Sequence, residues 1–283
     1  MIHEDQLLGD AVRAAARMLS EQGARGEAEI LIAHALGMTR AGLFAHADHL
    51  LSEAEATQCL RLVEARKSGE PVAYLLGERE FWSLRLQVTP DVLIPRHETE
   101  LLVEQALLGL PSGVPGLRVA DLGTGSGAVA LAIARERPLV DVWAVDASRA
   151  ALKVAEGNAQ RLGIGNVRFL LSDWFAALPA ALRFDCVVSN PPYVAEHDEH
   201  LGRGDLRFEP RMALTPGGDG LDAIRRIVRT APEFLHAGAS LLFEHGMDQG
   251  EAVRDLLAAE GFSDVETRRD DEDRDRVSLG RWR

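Results

Sequence analysis

The run Asn190-Pro191-Pro192-Tyr193 carries the most specific chemistry in the sequence. Two successive prolines lack N–H donors and have restricted φ, so they present backbone carbonyls in a stiff frame. Asn190 adds a side-chain oxygen that accepts hydrogen bonds, and Tyr193 a flat face with a polar tip. An amide nitrogen is a poor nucleophile, because its lone pair is delocalised into the carbonyl. Two acceptors, the Asn190 side-chain oxygen and the Pro191 carbonyl, would hold its two N–H groups and favour charge building on nitrogen. Such a pocket suits in-line transfer of a group onto a planar amide or amino nitrogen, with orientation and desolvation carrying most of the catalysis. No carboxylate base is required, since the proton becomes acidic once the nitrogen has formed its new bond. Asn190, Pro191 and Tyr193 are therefore the catalytic candidates, and Pro192 joins them in holding the acceptor. The bland alternative is a proline-stiffened loop with Tyr193 packed over the core.

A second constellation supplies the donor side. Asp121-Leu122-Gly123-Thr124-Gly125-Ser126-Gly127 follows an apolar run and precedes a helical pattern. Glycines there permit a sharp turn and close approach of a ligand to backbone N–H groups. The spacing differs from the dinucleotide form, and no Walker lysine follows, so no phosphate anchor is expected. Asp146 ends the next apolar run about 20 residues on, where a carboxylate accepts from ribose hydroxyls. Asp173 and Trp174 follow the run after that, offering an acceptor for an exocyclic amine and a flat surface for a purine. Taken singly, Asp146 and Asp173 also have a reading as helix caps, and Trp174 one as core. At successive strand ends they describe an adenosine site, and S-adenosyl-L-methionine is the adenosine ligand that carries a transferable methyl group. Asp121 suits either the cationic methionine end of that ligand or the turn itself.

These residues need strands and helices to bring them together. The pattern alternates, with strands expected over 117–121, 141–146, 167–171, 184–189 and 240–244. Helices are expected between them, over 128–136, 149–162, 220–235 and 248–260. This alternation argues for a parallel sheet covered on both faces. Two short strands, 264–268 and 276–281, flank an acidic turn at the C-terminal end. Residues 5–70 read instead as helices: Leu7, Leu8, Val12, Ala15, Ala16 and Leu19 at helical spacing up to Gly23, then 27–36 ending at Gly37. A third helix opens on a capping box at Ser52 and Glu55. Between the two regions, a strand over 81–88, a turn at Thr89-Pro90-Asp91 and a returning strand over 92–95 predict a hairpin. A helix over 97–108 follows, with Glu98 and Glu100 at its positive end.

Composition narrows the classes. The chain has 283 residues, 46% hydrophobic and 27% charged, and a formal net charge of −13. The acidic balance disfavours a partner held by phosphate neutralisation and fits a protein partner. Cys59 and Cys186, the two cysteines, fall in apolar patterns and read as buried thiols of a reducing compartment. No membrane span and no basic-then-apolar leader is read. A cytoplasmic enzyme without a metal is expected.

The chain resembles the release factor glutamine methyltransferases. The likeness runs through Ile94-Pro95-Arg96, Thr99-Glu100, the glycine loop, Ser172-Asp173-Trp174-Phe175, Ser189 to Tyr193, Arg207-Phe208-Glu209-Pro210 and Glu244-His245-Gly246. The resemblance implies an N-terminal helical domain (1–72), a β-hairpin linker (73–96) and a Rossmann-like methyltransferase domain (97–283) whose sheet is mostly parallel with the last strand antiparallel. It implies methylation of the side-chain amide nitrogen of the glutamine in the Gly-Gly-Gln motif of peptide chain release factors, leaving S-adenosyl-L-homocysteine. Carried over, it places cofactor contacts at Gly123, Thr124, Gly125, Ser126, Gly127, Asp146, Trp174 and Asn190, and substrate contacts at Asn190 to Tyr193. His97 stands where the family usually has proline, and Asp271-Glu272 where an aromatic or leucine and a glycine are usual. A nucleic-acid adenine-N6 methyltransferase would share Asn-Pro-Pro-Tyr but needs a basic track, against which Glu196, Asp198, Glu199 and Asp205 argue, while Arg203, Arg207 and Arg211 leave room. A binding module for an adenosine ligand, without catalysis, is the non-enzymatic alternative.

Overall fold

A computed structural model describes residues 1–19, 24–202 and 204–283, which divide into two compact units, Met1–Glu78 and Arg79–Arg283. Gly23 and Arg203 lie outside the described residues.

The first unit is helical: α1 (Leu8–Leu19), α2 (Ala24–Ala35), α3 (Arg40–Ala45), α4 (Glu53–Lys67) and α5 (Val72–Leu76). The apolar stripe of α1 buries Leu8, Ala11, Ala15 and Leu19 against Leu31, Ile32, Leu62 and Val63. The expected capping box is present. The Ser52 N–H donates to Glu55 Oε2 at 2.9 Å and the Glu55 N–H donates to Ser52 Oγ at 3.4 Å. Gly37, at φ 63°, takes the left-handed conformation that ends the second helical run. Cys59 is buried in this core, and burial pushes its thiol up to about 11. Helices α3 and α5 are too short for a periodic signal and were not expected from the sequence.

A hairpin of β1 (Glu78–Phe81), whose first residue ends the first unit, and β2 (Leu84–Gln87) comes next, followed by α6 (Glu100–Gly109). Here the expectation needs correction. The turn falls at Trp82 and Ser83, both at positive φ (50° and 56°), and residues 92–95 form no strand. Two left-handed residues give the tight turn whose twist matches a hairpin. Their strain is offset by the Trp82 N–H donating to Glu100 Oε1 at 2.9 Å. The signal hides because neither residue is a usual turn former, and Pro95 lacks the N–H that a returning strand needs.

The rest alternates: β3 (Arg118–Leu122), α7 (Ala128–Glu136), β4 (Asp141–Asp146), α8 (Arg149–Leu162), β5 (Val167–Leu171), β6 (Phe184–Ser189), α9 (Arg211–Leu214), α10 (Asp222–Thr230), β7 (Leu235–Glu244), α11 (Gly250–Glu260), β8 (Ser263–Arg269) and β9 (Asp275–Arg281). The helix expected over 220–235 is shorter, because Pro232 sits in a separate 3-10 turn, Ala231–Phe234, that leads into a longer β7. The sheet order is β5-β4-β3-β6-β7-β9-β8. All neighbours through β7 are parallel, and β9 is antiparallel to both β7 and β8. Successive residues of β6 feed opposite faces: Val188 joins a core with Leu102 and Ile133, and Val187 one with Ile224 and Leu257. Burial on both faces explains why these strands read as continuous apolar runs.

Candidate functional site

Strand order reverses direction between β3 and β6, and the crevice at such a switch point, beyond the strand C-termini, is where open α/β sheets bind ligands. The pocket found there is lined by Gly123, Thr124, Gly125, Ser126, Asp146, Asp173, Trp174, Asn190 and Pro192. Residues separated by nearly 70 positions are thus brought to one mouth, held by Ser189, whose buried hydroxyl donates to the Leu122 carbonyl at 2.6 Å.

The glycine loop owes its shape to conformation. Gly123, Gly125 and Gly127 all have positive φ (79°, 56° and 85°), and a Cβ on Gly127 would stand 3.1 Å from Leu131. The loop's amides are largely used internally. Gly123 and Thr124 N–H both donate to the Val145 carbonyl at 2.9 Å, and Gly127 N–H donates to Thr124 at 2.8 Å. What the loop offers is therefore a side-chain-free floor more than a ring of free donors. Trp174, itself at φ 53°, lays its ring over Gly123, 3.4 Å from where a Cβ would be. The Ser172 hydroxyl fixes that turn by donating to the Trp174 carbonyl at 2.7 Å.

Three carboxyls stand at the strand ends. Asp146 Oδ2 accepts from Gly125 N–H at 2.9 Å and Oδ1 from Ser148 N–H at 2.8 Å, so it serves as a turn anchor while still facing the pocket. Burial raises its pKa against those backbone bonds. Asp121 Oδ2 accepts from the Thr124 hydroxyl at 2.6 Å and from Ala130 N–H at 3.1 Å. Burial pushes Asp121 up to about 7, opposed by those two bonds and assisted by Asp146. Asp173 is different: both its oxygens accept from Arg226, at 3.0 and 2.6 Å, in an exposed pair.

At the end of β6 the Asn-Pro-Pro-Tyr residues separate. Asn190 and Pro192 line the pocket, whereas Pro191 is buried and the Tyr193 hydroxyl points inward, donating to Glu244 Oε1 at 3.2 Å. Burial, and then the Glu244 charge, push the Tyr193 hydroxyl well above its ordinary value. Asn190 Nδ2 donates to Thr99 Oγ1 at 3.2 Å. The segment after Tyr193 is tied down by Gln249 Nε2 donating to the Tyr193 carbonyl at 3.0 Å, by Val194 N–H donating to Leu214, and by the Arg96–Glu209 ion pair. Glu209 is buried, and burial raises its pKa despite the Arg96 charge.

Sequence reasoning gave no role to Thr99, Val92, Leu93, Met212 and Ala213, which line the same pocket. Thr99 entered only through the family resemblance, and the chain path alone brings these residues to the pocket. The two positions that depart from the family pattern also meet, His97 Nε2 standing 3.8 Å from Asp271 Oδ2.

Comparison with known proteins agrees with this geometry. The chain matches the PrmC N-terminal domain over residues 10–77 and the Methyltransferase small domain over residues 98–221. It is 55% identical over 260 residues to the release factor glutamine methyltransferase of Burkholderia pseudomallei, covering 90% of this chain and 91% of that one. It is 46% identical over 269 residues to that of Escherichia coli, covering 95% and 96%. In fold it is similar to a T. thermophilus 16S rRNA N2 G1207 methyltransferase solved with AdoMet and guanosine, at a TM-score of 0.55 and 22% identity over 73% of this chain and 50% of that one. By its likeness to these relatives over nearly its whole length, the chain belongs to the release factor glutamine methyltransferase family, a family of methyl-transferring enzymes.

Proposed function

We propose that this protein methylates the side-chain amide nitrogen of the glutamine in the Gly-Gly-Gln motif of peptide chain release factors, using S-adenosyl-L-methionine. The observation that carries the reading is Asn190, at the pocket wall with its Nδ2 already engaged by Thr99, which leaves Oδ1 as the acceptor it offers. The pocket residues fit the cofactor: an open glycine floor, an indole face over Gly123, a carboxyl at the end of β4 and a second, buried one at the end of β3. S-adenosyl-L-methionine brings an electrophilic methyl on a sulfonium together with its own leaving group. Asp146 would hold the ribose hydroxyls, Trp174 the purine, and Asp121 the cationic amino-acid end. Asp173, engaged by Arg226, would reach an exocyclic amine only with the lone pairs that this ion pair leaves free. Asn190 Oδ1 and the Pro191 carbonyl would accept from the two N–H groups of the glutamine amide, localising charge on its nitrogen. Pro192 and Tyr193 stiffen this frame, Tyr193 through its inward bond to Glu244.

Incubated with labelled cofactor, the protein is expected to label the release-factor glutamine, located by peptide mapping. Asn190→Ala is expected to lose about 10²–10³ in turnover, the usual cost of one preorganised transition-state partner, with cofactor affinity changed far less. Near-wild-type turnover at saturating substrates would remove Asn190 from the mechanism, and salt-sensitive labelling of an oligonucleotide instead of protein would return the adenine reading.

A further inference from the structure

The prolines that stiffen Asn190-Pro191-Pro192-Tyr193 also make it hard to anchor. Neither has an N–H, so the peptides before Pro191 and before Pro192 can be tied only through their carbonyls. On the function proposed above, the Pro191 carbonyl must stay open to the acceptor. Such a frame depends on its two ends. At the β6 end, Ser189 pairs with Leu122 and Phe243 of the neighbouring strands and donates its hydroxyl to the Leu122 carbonyl at 2.6 Å. At the far end, the peptide between Tyr193 and Val194 is held at both poles. The Val194 N–H donates to the Leu214 carbonyl at 2.9 Å, and Gln249 Nε2 donates to the Tyr193 carbonyl at 3.0 Å.

Gln249 spends its whole amide on this tie. It stands at the N-terminal end of α11, yet its side chain makes no capping bond to that helix. Its Oε1 turns back to accept from the Gly246 N–H at 2.9 Å, while its own N–H donates to the Gly246 carbonyl at 3.0 Å. The amide has one orientation only. A backbone N–H donates and a carbonyl accepts, so Oε1 must face Gly246 and Nε2 must face Tyr193. An ionised carboxyl of the same length could not donate to Tyr193. Gly220 packs against the same carbonyl: at φ 85°, a Cβ there would lie 2.2 Å from the Tyr193 oxygen and 2.9 Å from Gln249 Nε2. Only glycine leaves room for the bond. The Tyr193 hydroxyl meanwhile donates to Glu244 Oε1 at 3.2 Å. The end of β7 and the turn after it therefore grip Tyr193 by ring and by backbone.

We propose that Gln249 is a positioning residue for methyl transfer: by holding the Tyr193 carbonyl, it sets where the prolines present the Pro191 carbonyl and the Asn190 amide to the acceptor nitrogen. The proposal rests on the reading of Asn190 and Pro191 given above. A residue that only opened its own helix would not need a bond across 56 positions.

The test uses the full-length protein with purified release factor, a short Gly-Gly-Gln peptide and S-adenosyl-L-methionine. Gln249→Glu keeps the length and an acceptor for Gly246 but sets an oxygen against the Tyr193 carbonyl, whereas Gln249→Met keeps only the length. Both are expected to lower kcat about 10- to 100-fold, the scale of a misplaced reacting group. The loss should be equal on release factor and on peptide, because the frame acts at the amide. The cofactor Kd from calorimetry and the KM for release factor are expected to stay within about threefold of wild type. Thermal melts select the folded variants, and Gln249→Met carries the test should Gln249→Glu fail to fold. Full kcat in the folded variants, while Asn190→Ala is impaired, overturns the proposal and leaves the Asn190 reading standing. A cofactor Kd that weakens as much as kcat falls overturns it in favour of a support for the cofactor site. A loss confined to whole release factor overturns it in favour of docking. Full kcat in Gln249→Glu beside a loss in Gln249→Met overturns it too, since the Gly246 bond alone would then suffice. A wild-type rate in Asn190→Ala is a separate pattern, and it sinks the Asn190 reading together with this one.

Discussion

Asp121 occupies the last turn of β3 with one oxygen committed to Thr124 and Ala130, which shows that it stabilises the loop. Its second possible role, pairing with the cationic end of the cofactor, has a pH signature. Its pKa of about 7 in the folded protein exceeds the ordinary 3.8, so the folded state binds this proton more tightly than the unfolded chain does. The carboxyl therefore costs stability as pH rises through that window, and this cost is fully present above about 7. A bound cation favours the ionised form, so the sign for binding is opposite. Affinity for S-adenosyl-L-methionine is expected to be highest above the Asp121 pKa and to fall below it, by at most about tenfold per pH unit. Calorimetry across this range should show the dependence in wild type and a flat profile in Asp121→Asn. Matching profiles in the two proteins would confine Asp121 to the turn.

At the scale of elements, α8 does more than cover the sheet. Its Asn158 is fully buried and makes three bonds that join separate parts of the second unit. Asn158 Oδ1 accepts from Gln87 N–H at 2.7 Å, and Nδ2 donates to the Gln87 carbonyl at 3.0 Å and to the Ser126 carbonyl at 2.8 Å. One amide thus ties the end of β2 to the glycine loop. Asn158→Leu would leave the buried Ser126 carbonyl and the part-buried Gln87 backbone groups without this partner, and a loss of about 2–3 kcal/mol is expected in urea unfolding. Cofactor affinity should fall with it, since the loop floor loses an anchor. A stability change within about 0.5 kcal/mol would mean that water replaces the amide.

At the scale of the molecule, the two units have separate cores, and the Asn-Pro-Pro-Tyr pocket belongs wholly to the second. On the function proposed above, that pocket holds little more than an amide, so selection of a whole protein must use more surface. The first unit carries Phe44 exposed, and Leu7 and Leu50 exposed as partners of one β-bridge, as apolar surface available to a protein partner. No helix among the described residues is long and apolar enough to cross a membrane. Deleting residues 1–72 is expected to leave cofactor binding largely intact. It should reduce transfer to whole release factor by at least about tenfold more than transfer to a short Gly-Gly-Gln peptide, a difference of roughly 1.4 kcal/mol in recognition. Equal losses on the two substrates, in kcat/KM assays run side by side, would assign the first unit to folding instead.

Local rules determined a large part of this protein from sequence. β4, β5, β6, α7 and α8 fall where the alternation of apolar runs and helical spacing puts them, because strands buried on both faces and helices with one apolar stripe leave plain periodic signals. The glycine loop, the capping box and Asn-Pro-Pro-Tyr were equally legible, each being a backbone demand met by a few residue types. The hairpin turn at Trp82 and Ser83 was not, since its left-handed backbone is stabilised by Glu100, eighteen positions away. Nor was the tie between Asp173 and Arg226, nor the bonds from Asn190 to Thr99 and from Tyr193 to Glu244. A threonine and a glutamate have no periodicity that marks them as the partners of Asn190 and Tyr193. Hydrogen bonds between distant segments follow from sheet order and register, and these are decided only when both faces of the sheet are packed.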